Sequence, residues 1–369
     1  MTKLDDLHSA GQSVWLDFIR RDMLTNGELA SLVADGIRGL TSNPTIFQKA
    51  IAGSDLYDDH IAALGAIDSE EVFEVLAIAD IRGAADLLMS VYDRSAGRDG
   101  FVSLEVSPHL AHDTAGTVTA AHRLWEAVDR PNLMIKVPAT TAGVPALESL
   151  IATGINVNAT LMFSLAHYEA IAQAFVRGAE RAPTPERVTS VASFFVSRVD
   201  TKTDTALDKI GTERALAHRG TIAVANAKQT YRRYQEIFEG SAFATAQARG
   251  AAPQRVLWAS TSTKNPEYSD VLYVDDLIGS NTVNTMPPAT IDAFADHSII
   301  NSNALTSGLE QADVAIAALA GFDIDFAALT EDLQTEGVAA FADSFDDLLE
   351  AISAKQAISN TTNRFVFMS

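Results

Sequence analysis

The sequence predicts an α/β protein that forms a single (β/α)8 (TIM) barrel with additional helices. Eight short apolar runs, each closed by polar or small residues, alternate with longer segments in which apolar residues recur every three or four positions. Strands that alternate with helices in this way build parallel sheets. The glycine fingerprint typical of an open nucleotide-binding sheet does not occur, so we expect the eight strands to close into a barrel.

The predicted elements follow one another along the whole chain. The intervals 44–100 and 199–254 are long enough for more than one helix each, whereas 110–129 and 164–180 have the periodicity of single helices. Residues 241–254 are rich in small side chains and predict a loop directly before a strand, which is a poor place for a domain boundary. The predicted strands are 13–19, 36–43, 101–108, 133–139, 154–161, 188–197, 255–262 and 282–287.

The pattern of the last 70 residues predicts helices and no strands. We expect residues 1–369 to form one barrel domain, with 300–369 as packing helices. Within 322–350 there are nine acidic residues and no Lys or Arg, while Phe and Leu keep a helical rhythm. Amphipathic packing helices with a solvated acidic face are the favoured interpretation. An acidic segment that binds a partner is the alternative.

Composition excludes several classes of protein. With 369 residues, 47% of them hydrophobic, the chain can bury a large core. The formal net charge of −21 argues against nucleic acid or a membrane surface as the main partner, so a small anionic ligand would need local cations. The absence of cysteine excludes thiol nucleophiles, disulfides and cysteine-bound metals. The N-terminus is acidic and no apolar run is long enough for a membrane span, so we expect a cytoplasmic protein.

Polar residues interrupt the apolar strands near their carboxyl ends, where barrels of this type carry their active sites. Lys136 is the most informative, because Lys is depleted from strands and is seldom buried without a reason. An apolar pocket that removes water from an amine favours its neutral, nucleophilic form, as Schiff-base chemistry requires. The alternatives are an ion pair with Glu105 or a side chain that extends to solvent at the strand end. The interrupting residues are Asp17, Asn43, Glu105, Lys136, Asn158, Thr160 and Ser193.

Two carboxylates would face the same barrel mouth as Lys136. Forming and breaking a Schiff base moves protons at each step, so an amine nucleophile needs an acid/base group within hydrogen-bond reach. Asp17 and Glu105 are the candidates. Taken singly, Asp17 could equally cap a strand end and Glu105 could be a core ion-pair partner.

The strand-end motifs closely resemble those of the transaldolase family, in its long bacterial form. The runs SVWLDFI, GLTSNPTIF, SLEVSP, MIKVPAT, GINVNATLMFSL and SFFVSR occur in this order, and the resemblance covers nearly the whole chain from about residue 5. It implies a metal-free, cofactor-free transfer of a dihydroxyacetone unit from sedoheptulose 7-phosphate to glyceraldehyde 3-phosphate. The products would be erythrose 4-phosphate and fructose 6-phosphate, in the non-oxidative branch of the pentose phosphate pathway.

The resemblance also implies a role for each matching residue. Lys136 would form the Schiff base, and Asp17 would move the proton of the hydroxyl next to the bond that breaks. Glu105 would act through a water molecule that Thr160 helps to hold. The residues implied in substrate binding are Asn43, Asn158, Ser193, Phe195, Arg198, Ser262 and Lys264.

One part of the chain departs from the best-known members of the family. Where they carry a serine-x-arginine run after strand 7, this chain has Ser-Thr-Ser-Thr-Lys-Asn at 260–265. Lys264 would then replace the second phosphate-binding cation, with Ser262 as its partner and Ser260 as the alternative. Lysine supplies the charge but not the bidentate fork of arginine.

Other interpretations have less support in the sequence. His109, His112 and Asp113 form an H-x-x-H-D run, which a helix start after Pro108 with exposed imidazoles explains better than a metal site, because no further His or carboxylate motif accompanies it. Asn158-Ala-Thr160 matches a glycosylation sequon, but no secretory signal accompanies it. The competing functions are a fructose 6-phosphate aldolase and a catalytically silent sugar-phosphate-binding barrel. The expected partners are sugar phosphates, without nucleic acid or membrane, and the resemblance leaves a homodimer open.

Overall fold

The computed structural model describes the backbone of residues 2–366 and the side chains of residues 2–358. Within this range eight parallel strands form a closed barrel in sequence order, in which the last strand pairs with the first. The predicted (β/α)8 fold is therefore confirmed. The strands are β1 (Gln12–Leu16), β2 (Gly39–Thr41), β3 (Phe101–Glu105), β4 (Leu133–Pro138), β5 (Val157–Met162), β6 (Ser190–Phe195), β7 (Arg255–Ala259) and β8 (Thr282–Met286).

Helices follow the strands and cover the outside of the barrel. Both long intervals, 44–100 and 199–254, hold several helices, as predicted. The α-helices of the described range are α1 (Lys3–Ser9), α2 (Glu28–Ala34), α3 (Pro44–Ala52), α4 (Asp58–Leu64), α5 (Ser69–Arg94), α6 (Thr114–Val128), α7 (Gly143–Ala152), α8 (Leu165–Arg181), α9 (Ser197–Ile210), α10 (Glu213–Leu216), α11 (Ile222–Phe238), α12 (Ala244–Ala248), α13 (Leu272–Asp275), α14 (Pro288–His297), α15 (Leu309–Ala318) and α16 (Phe326–Val366).

The prediction of a loop over residues 241–254 is wrong in its first half. Ser241–Phe243 form a turn of 3-10 helix, and α12 continues it directly. The small residues that suggested a loop are mainly alanines, which have the highest helix propensity of all residues.

The barrel interior places three of the predicted site residues side by side. Glu105 on β3 is the registered neighbour of Lys136 on β4, and Lys136 is the registered neighbour of Asn158 on β5. All three side chains are buried. Adjacent parallel strands in register bring such residues together on one level of the barrel.

The last helix, α16, packs across the carboxyl ends of β4 and β5. Gln334 donates hydrogen bonds of 3.0 Å from Nε2 to the carbonyls of Ala139 and Leu161 at those ends. A Cβ atom at Gly337 would lie 3.0 Å from the Leu161 side chain, so a glycine here permits the close approach of helix and strand. The position of this helix over the barrel mouth is a feature that periodicity alone does not predict.

The amphipathic interpretation of residues 322–350 agrees with the structure. All nine acidic side chains are exposed. The buried apolar side chains of this segment include Leu329, Leu333, Phe341, Phe345 and Leu348. Several of the acidic residues nevertheless hold the helix to the barrel, since Glu331 contacts His167, Glu336 contacts Lys202 and Asp346 contacts His109.

The predicted helical region 300–369 contains α15 and α16, and its residues 367–369 lie outside the described residues. Across the described chain, no helix has both the length and the apolar character that crossing a membrane requires.

Candidate active site

A pocket of about 400 Å³ opens at the carboxyl ends of the strands. The predicted residues Glu105 and Asn158 are not among its lining residues but touch those that are. The predicted site residues that line the pocket are Asp17, Asn43, Lys136, Thr160, Ser193, Phe195, Arg198, Ser262 and Lys264, together with the alternative Ser260. The structure therefore gathers residues from all over the sequence around one cavity.

Lys136 is almost completely buried at this pocket, with 4% of its surface exposed. Its Nζ atom donates to Glu105 Oε2 at 3.1 Å and to the carbonyl of Ser42 at 3.2 Å. The third side of the ammonium group faces the ring of Phe341, whose centroid is 5.4 Å away. The ion pair with Glu105, which the sequence offered as an alternative to a nucleophilic role, is thus present, and the same amine also lines the pocket.

Asp17 follows β1 directly and is held by one neighbour. Thr41 donates a hydrogen bond of 2.7 Å to Asp17 Oδ1, and the hydroxyl of Thr41 lies 2.7 Å from that of Thr285. Burial raises the pKa of Asp17, and the Thr41 hydrogen bond opposes this rise. A carboxyl group in this state can exchange a proton closer to neutral pH than an exposed Asp can.

Glu105 and Thr160 each carry a buried oxygen without a protein partner. Within the described side chains, neither Glu105 Oε1 nor Thr160 Oγ1 has a hydrogen-bond partner. Burial also raises the pKa of Glu105, while the nearby Lys136 lowers it. Buried polar atoms are normally satisfied by protein or by water, so each of these oxygens is available to a water molecule or a ligand.

Three amide and hydroxyl side chains are oriented by contacts with each other or with the backbone. Asn158 donates to Ser103 Oγ at 3.0 Å and accepts from Ser193 Oγ at 2.7 Å. Asn43 caps α3, since its Oδ1 accepts a bond of 2.9 Å from the backbone N–H of Ile46. The cap leaves the Asn43 amide N–H groups available to a ligand.

The cationic end of the pocket contains Arg198 and Lys264. The guanidinium of Arg198 lies over the ring of Phe195 at 5.4 Å, and burial lowers its pKa. Lys264 donates to Ser262 Oγ at 2.7 Å. Ser260 has a left-handed backbone with φ 56° and its hydroxyl lies 2.9 Å from that of Ser197. Ser262 is thus the serine in contact with Lys264, and Ser260 contacts α9.

Three of the lining residues that sequence reasoning missed contact or charge the predicted site. Thr41 orients Asp17, Lys49 adds a third cation, and Phe341 covers Lys136 from α16. Lys49 follows shortly after the TSNPTIF motif, so its place on the helix after β2 could have indicated it. For Phe341 helical periodicity shows that the side chain is buried but not which element it faces.

The H-x-x-H-D run lies outside the pocket. His109 is paired with Asp346 of α16, and Asp113 caps α6 by accepting from the backbone N–H of Gly116 at 3.0 Å. No group of three or more potential metal-ligating side chains was found in the described part of the chain.

The closed barrel with a functional pocket at its carboxyl end places this protein among the (β/α)8 barrel enzymes. A family profile described as "Transaldolase/Fructose-6-phosphate aldolase" matches residues 14–352. The chain belongs to this family.

Curated relatives agree with this assignment. A protein of Parafrankia sp. (strain EAN1pec) named "Transaldolase" is 49% identical, over 95% of this chain and 96% of its own length. A "Transaldolase" of Thiobacillus denitrificans is also 49% identical, over 94% of this chain and 98% of its own. A "Transaldolase" of Mycolicibacterium smegmatis is 46% identical, over 94% of this chain and 95% of its own length.

Proposed function

We propose that the protein is a transaldolase that transfers a dihydroxyacetone unit from sedoheptulose 7-phosphate to glyceraldehyde 3-phosphate. The observation that carries this proposal is the buried amine of Lys136, which lines a pocket together with Asp17 and contacts Glu105 at 3.1 Å. An amine nucleophile, two carboxyl groups and a cationic end are the parts that a Schiff-base transfer between sugar phosphates requires.

The first half of the reaction forms the Schiff base. The Nζ atom of Lys136 adds to the ketone carbon of the donor after giving up a proton, for which Glu105 is the adjacent acceptor. The resulting carbinolamine loses water to give an iminium ion. A water molecule held between Glu105 Oε1 and Thr160 Oγ1 would carry the proton to the departing hydroxyl, which explains why both oxygens are free of protein partners among the described side chains.

The second half breaks and remakes a carbon–carbon bond. Asp17 accepts the proton of the hydroxyl next to that bond, the bonding electrons move into the iminium, and the aldehyde product leaves an enamine on Lys136. The enamine then adds to the aldehyde of glyceraldehyde 3-phosphate, and Asp17 returns the proton to the new hydroxyl. Hydrolysis of the new iminium releases fructose 6-phosphate and restores the amine.

Substrate binding follows from the lining of the pocket. Asn43 and Ser193 line the pocket and would hydrogen-bond the hydroxyl groups of the three-carbon unit, and Asn158 would join them from its place behind Ser193. Arg198 and Lys264 would bind the phosphate, with Ser262 beside Lys264. Phe195 lies under the Arg198 guanidinium and supports it. These cations supply the local positive field that a chain of net charge −21 needs in order to bind phosphorylated sugars.

Reductive trapping tests the proposal directly. We expect borohydride, added in the presence of fructose 6-phosphate, to fix a three-carbon adduct on the peptide that contains Lys136. Lys136→Ala should abolish both the adduct and turnover while the circular dichroism spectrum stays unchanged. An adduct on another lysine, or none, would contradict the assignment, and EDTA should leave activity unchanged.

Fructose 6-phosphate aldolase activity is a second candidate, because the family profile covers both reactions. The two differ in whether an acceptor is required. A transaldolase forms erythrose 4-phosphate only when a donor ketose and an acceptor aldehyde are both present, whereas an aldolase releases dihydroxyacetone from fructose 6-phosphate alone. Absence of both reactions would favour a silent sugar-phosphate-binding barrel.

The organisation of the protein in the cell is a further part of the proposal. We propose one barrel domain over residues 1–369 that works in the cytoplasm on sugar phosphates, without nucleic acid or membrane partners. The net charge of −21 supports the absence of nucleic acid and membrane partners, because both are anionic. Light scattering coupled to gel filtration would decide between a monomer and a homodimer.

A further inference from the structure

Lys49 is a third cation at the phosphate end of the pocket. It belongs to the last turn of α3 and lines the same cavity as Arg198 and Lys264. Its side chain is exposed, and among the described residues it has neither an ion pair nor a hydrogen bond. Ten of the described arginines form ion pairs with carboxylates, whereas Lys49, at the rim of the pocket, has no such partner among the described residues.

The three cations are close enough to influence one another. Burial lowers the pKa of Lys264, and the charges of Arg198 and Lys49 lower it further. Asp17 is the only carboxylate among the residues that line this cavity in the described structure, and its charge raises the pKa of Lys264, against the effects of burial and of the two other cations. Like charges gathered in one place repel each other, and a bound anion relieves that repulsion.

Because Lys264 is a lysine and not an arginine, a phosphate at this site has room for a further cation. An arginine would hold a phosphate with two parallel N–H groups, whereas the ammonium of Lys264 is a single point charge that also donates to Ser262. A second ammonium group at the same end can contact another phosphate oxygen.

The scaffold fixes Lys49 relative to the rest of the site. Asn43 caps the first turn of α3 and Pro44 begins the helix, so the helix starts at the end of β2 in a defined direction. Asn43 and Lys49 therefore face the cavity from the two ends of a single short, rigid helix.

We propose that Lys49 binds the phosphate group of the sugar-phosphate substrate together with Arg198 and Lys264. This proposal rests on the proposed function, since it names a further residue of the same site. Lys49 is a substrate-binding residue and takes no part in the proton transfers at Lys136.

The test compares Lys49→Met with Lys209→Met, which removes an exposed lysine in the last turn of α9 that does not line the pocket. For Lys49→Met we expect KM for glyceraldehyde 3-phosphate to rise roughly tenfold, as for the loss of one charge-assisted hydrogen bond. The KM for the phosphorylated donor should rise as well, whereas the KM for unphosphorylated glyceraldehyde, measured at saturating donor, should change much less than the KM for glyceraldehyde 3-phosphate. Lys49→Arg should restore most of the affinity, and Lys209→Met should behave like the wild type.

Two results would overturn the proposal. One is equal behaviour of Lys49→Met and Lys209→Met. The other is an equal rise in KM for phosphorylated and unphosphorylated acceptors at saturating donor, which would mean that Lys49 positions α3 and Asn43 instead of binding phosphate.

Calorimetric titration with inorganic phosphate separates this proposal from the proposed function. We expect Lys49→Met to weaken phosphate binding severalfold, as Lys264→Met should, even if the protein transferred no dihydroxyacetone. Unchanged phosphate affinity in Lys49→Met beside a clear loss in Lys264→Met would refute the role of Lys49 whatever reaction the site performs.

Discussion

The Nζ atom of Lys136 lies 5.4 Å from the centre of the Phe341 ring, so a residue of the C-terminal helix covers the amine that the barrel presents. The face of an aromatic ring attracts a nearby cation, and an iminium on Lys136 would be such a cation. Phe341 also excludes water from this side of the pocket. The sequence predicts α16 as a packing helix, but in the structure its Phe341 lines the proposed active site.

Shortening Phe341 should let water reach the enamine on Lys136. We expect Phe341→Ala to release severalfold more free dihydroxyacetone per transfer event, because water can protonate an exposed enamine before the acceptor arrives. The variant should also lose about 3 kcal/mol of stability, since the side chain is buried. Product analysis by chromatography measures the ratio. Phe326→Ala, on the same helix but away from the pocket, is the control, and an equal change in both variants would contradict the prediction.

Removing the Thr41 hydroxyl should shift the pH dependence of the reaction. Burial raises the pKa of Asp17 and the Thr41 hydrogen bond lowers it, so Thr41→Val should raise this pKa further. Because Asp17 must be ionised to accept a proton, the acid limb of the kcat/KM profile should move to higher pH, and the loss of activity should grow as the pH falls. Thr41→Ser keeps the donor and should retain the wild-type profile. An unmoved acid limb in Thr41→Val would show that Asp17 is not the titrating base.

Loss of the Gln334 amide should loosen the C-terminal helix. Its Nε2 is bonded to the carbonyls of Ala139 and Leu161, and Leu161 has a left-handed backbone with φ 62°. Gln334→Leu leaves these two acceptors without their donor, which should lower the free energy of unfolding by about 2 kcal/mol. Urea denaturation gives this value, with the exposed Thr335→Ala as control. Equal stability of the two variants would mean that water replaces the amide at no cost.

A buried carboxyl group away from the pocket should make stability depend on pH. Burial raises the pKa of Asp200 from 3.8 to about 6, although it accepts bonds from the Ala223 backbone N–H and the Tyr273 hydroxyl. The folded state therefore favours the neutral acid more than the unfolded chain does. Its contribution is complete below pH 3.8 and is lost as the pH rises to about 6, which amounts to about 3 kcal/mol.

Asp200→Asn cannot ionise and supplies the reference. The stability of the wild type relative to this variant should decrease between about pH 4 and pH 6 and stay constant above that range. Chemical denaturation at several pH values measures the difference. A difference that does not vary with pH would show that Asp200 has the same pKa in the folded and unfolded chain.

The sequence by itself determined the barrel and most of the proposed chemistry. Eight apolar runs alternating with helical segments are enough to predict a closed parallel sheet, because each strand is buried on both faces and each crossover needs a helix. Lys136 and Glu105 stand out for the same reason, since a charged residue inside such a strand is buried. Asp17 stands out as a polar residue that closes the first apolar run. The family motifs then add the binding residues.

Only the tertiary structure decided how α16 and α3 complete the pocket. Periodicity predicts that Phe341 is buried and that Lys49 is on a helix, but it carries no information about which distant element either side chain meets. The seating of α16 depends on long-range contacts, such as the Gln334 bonds to two strand ends and the close approach at Gly337. Contacts of this kind join residues far apart in the chain and exist only after the barrel has closed, which is why local sequence cannot specify them.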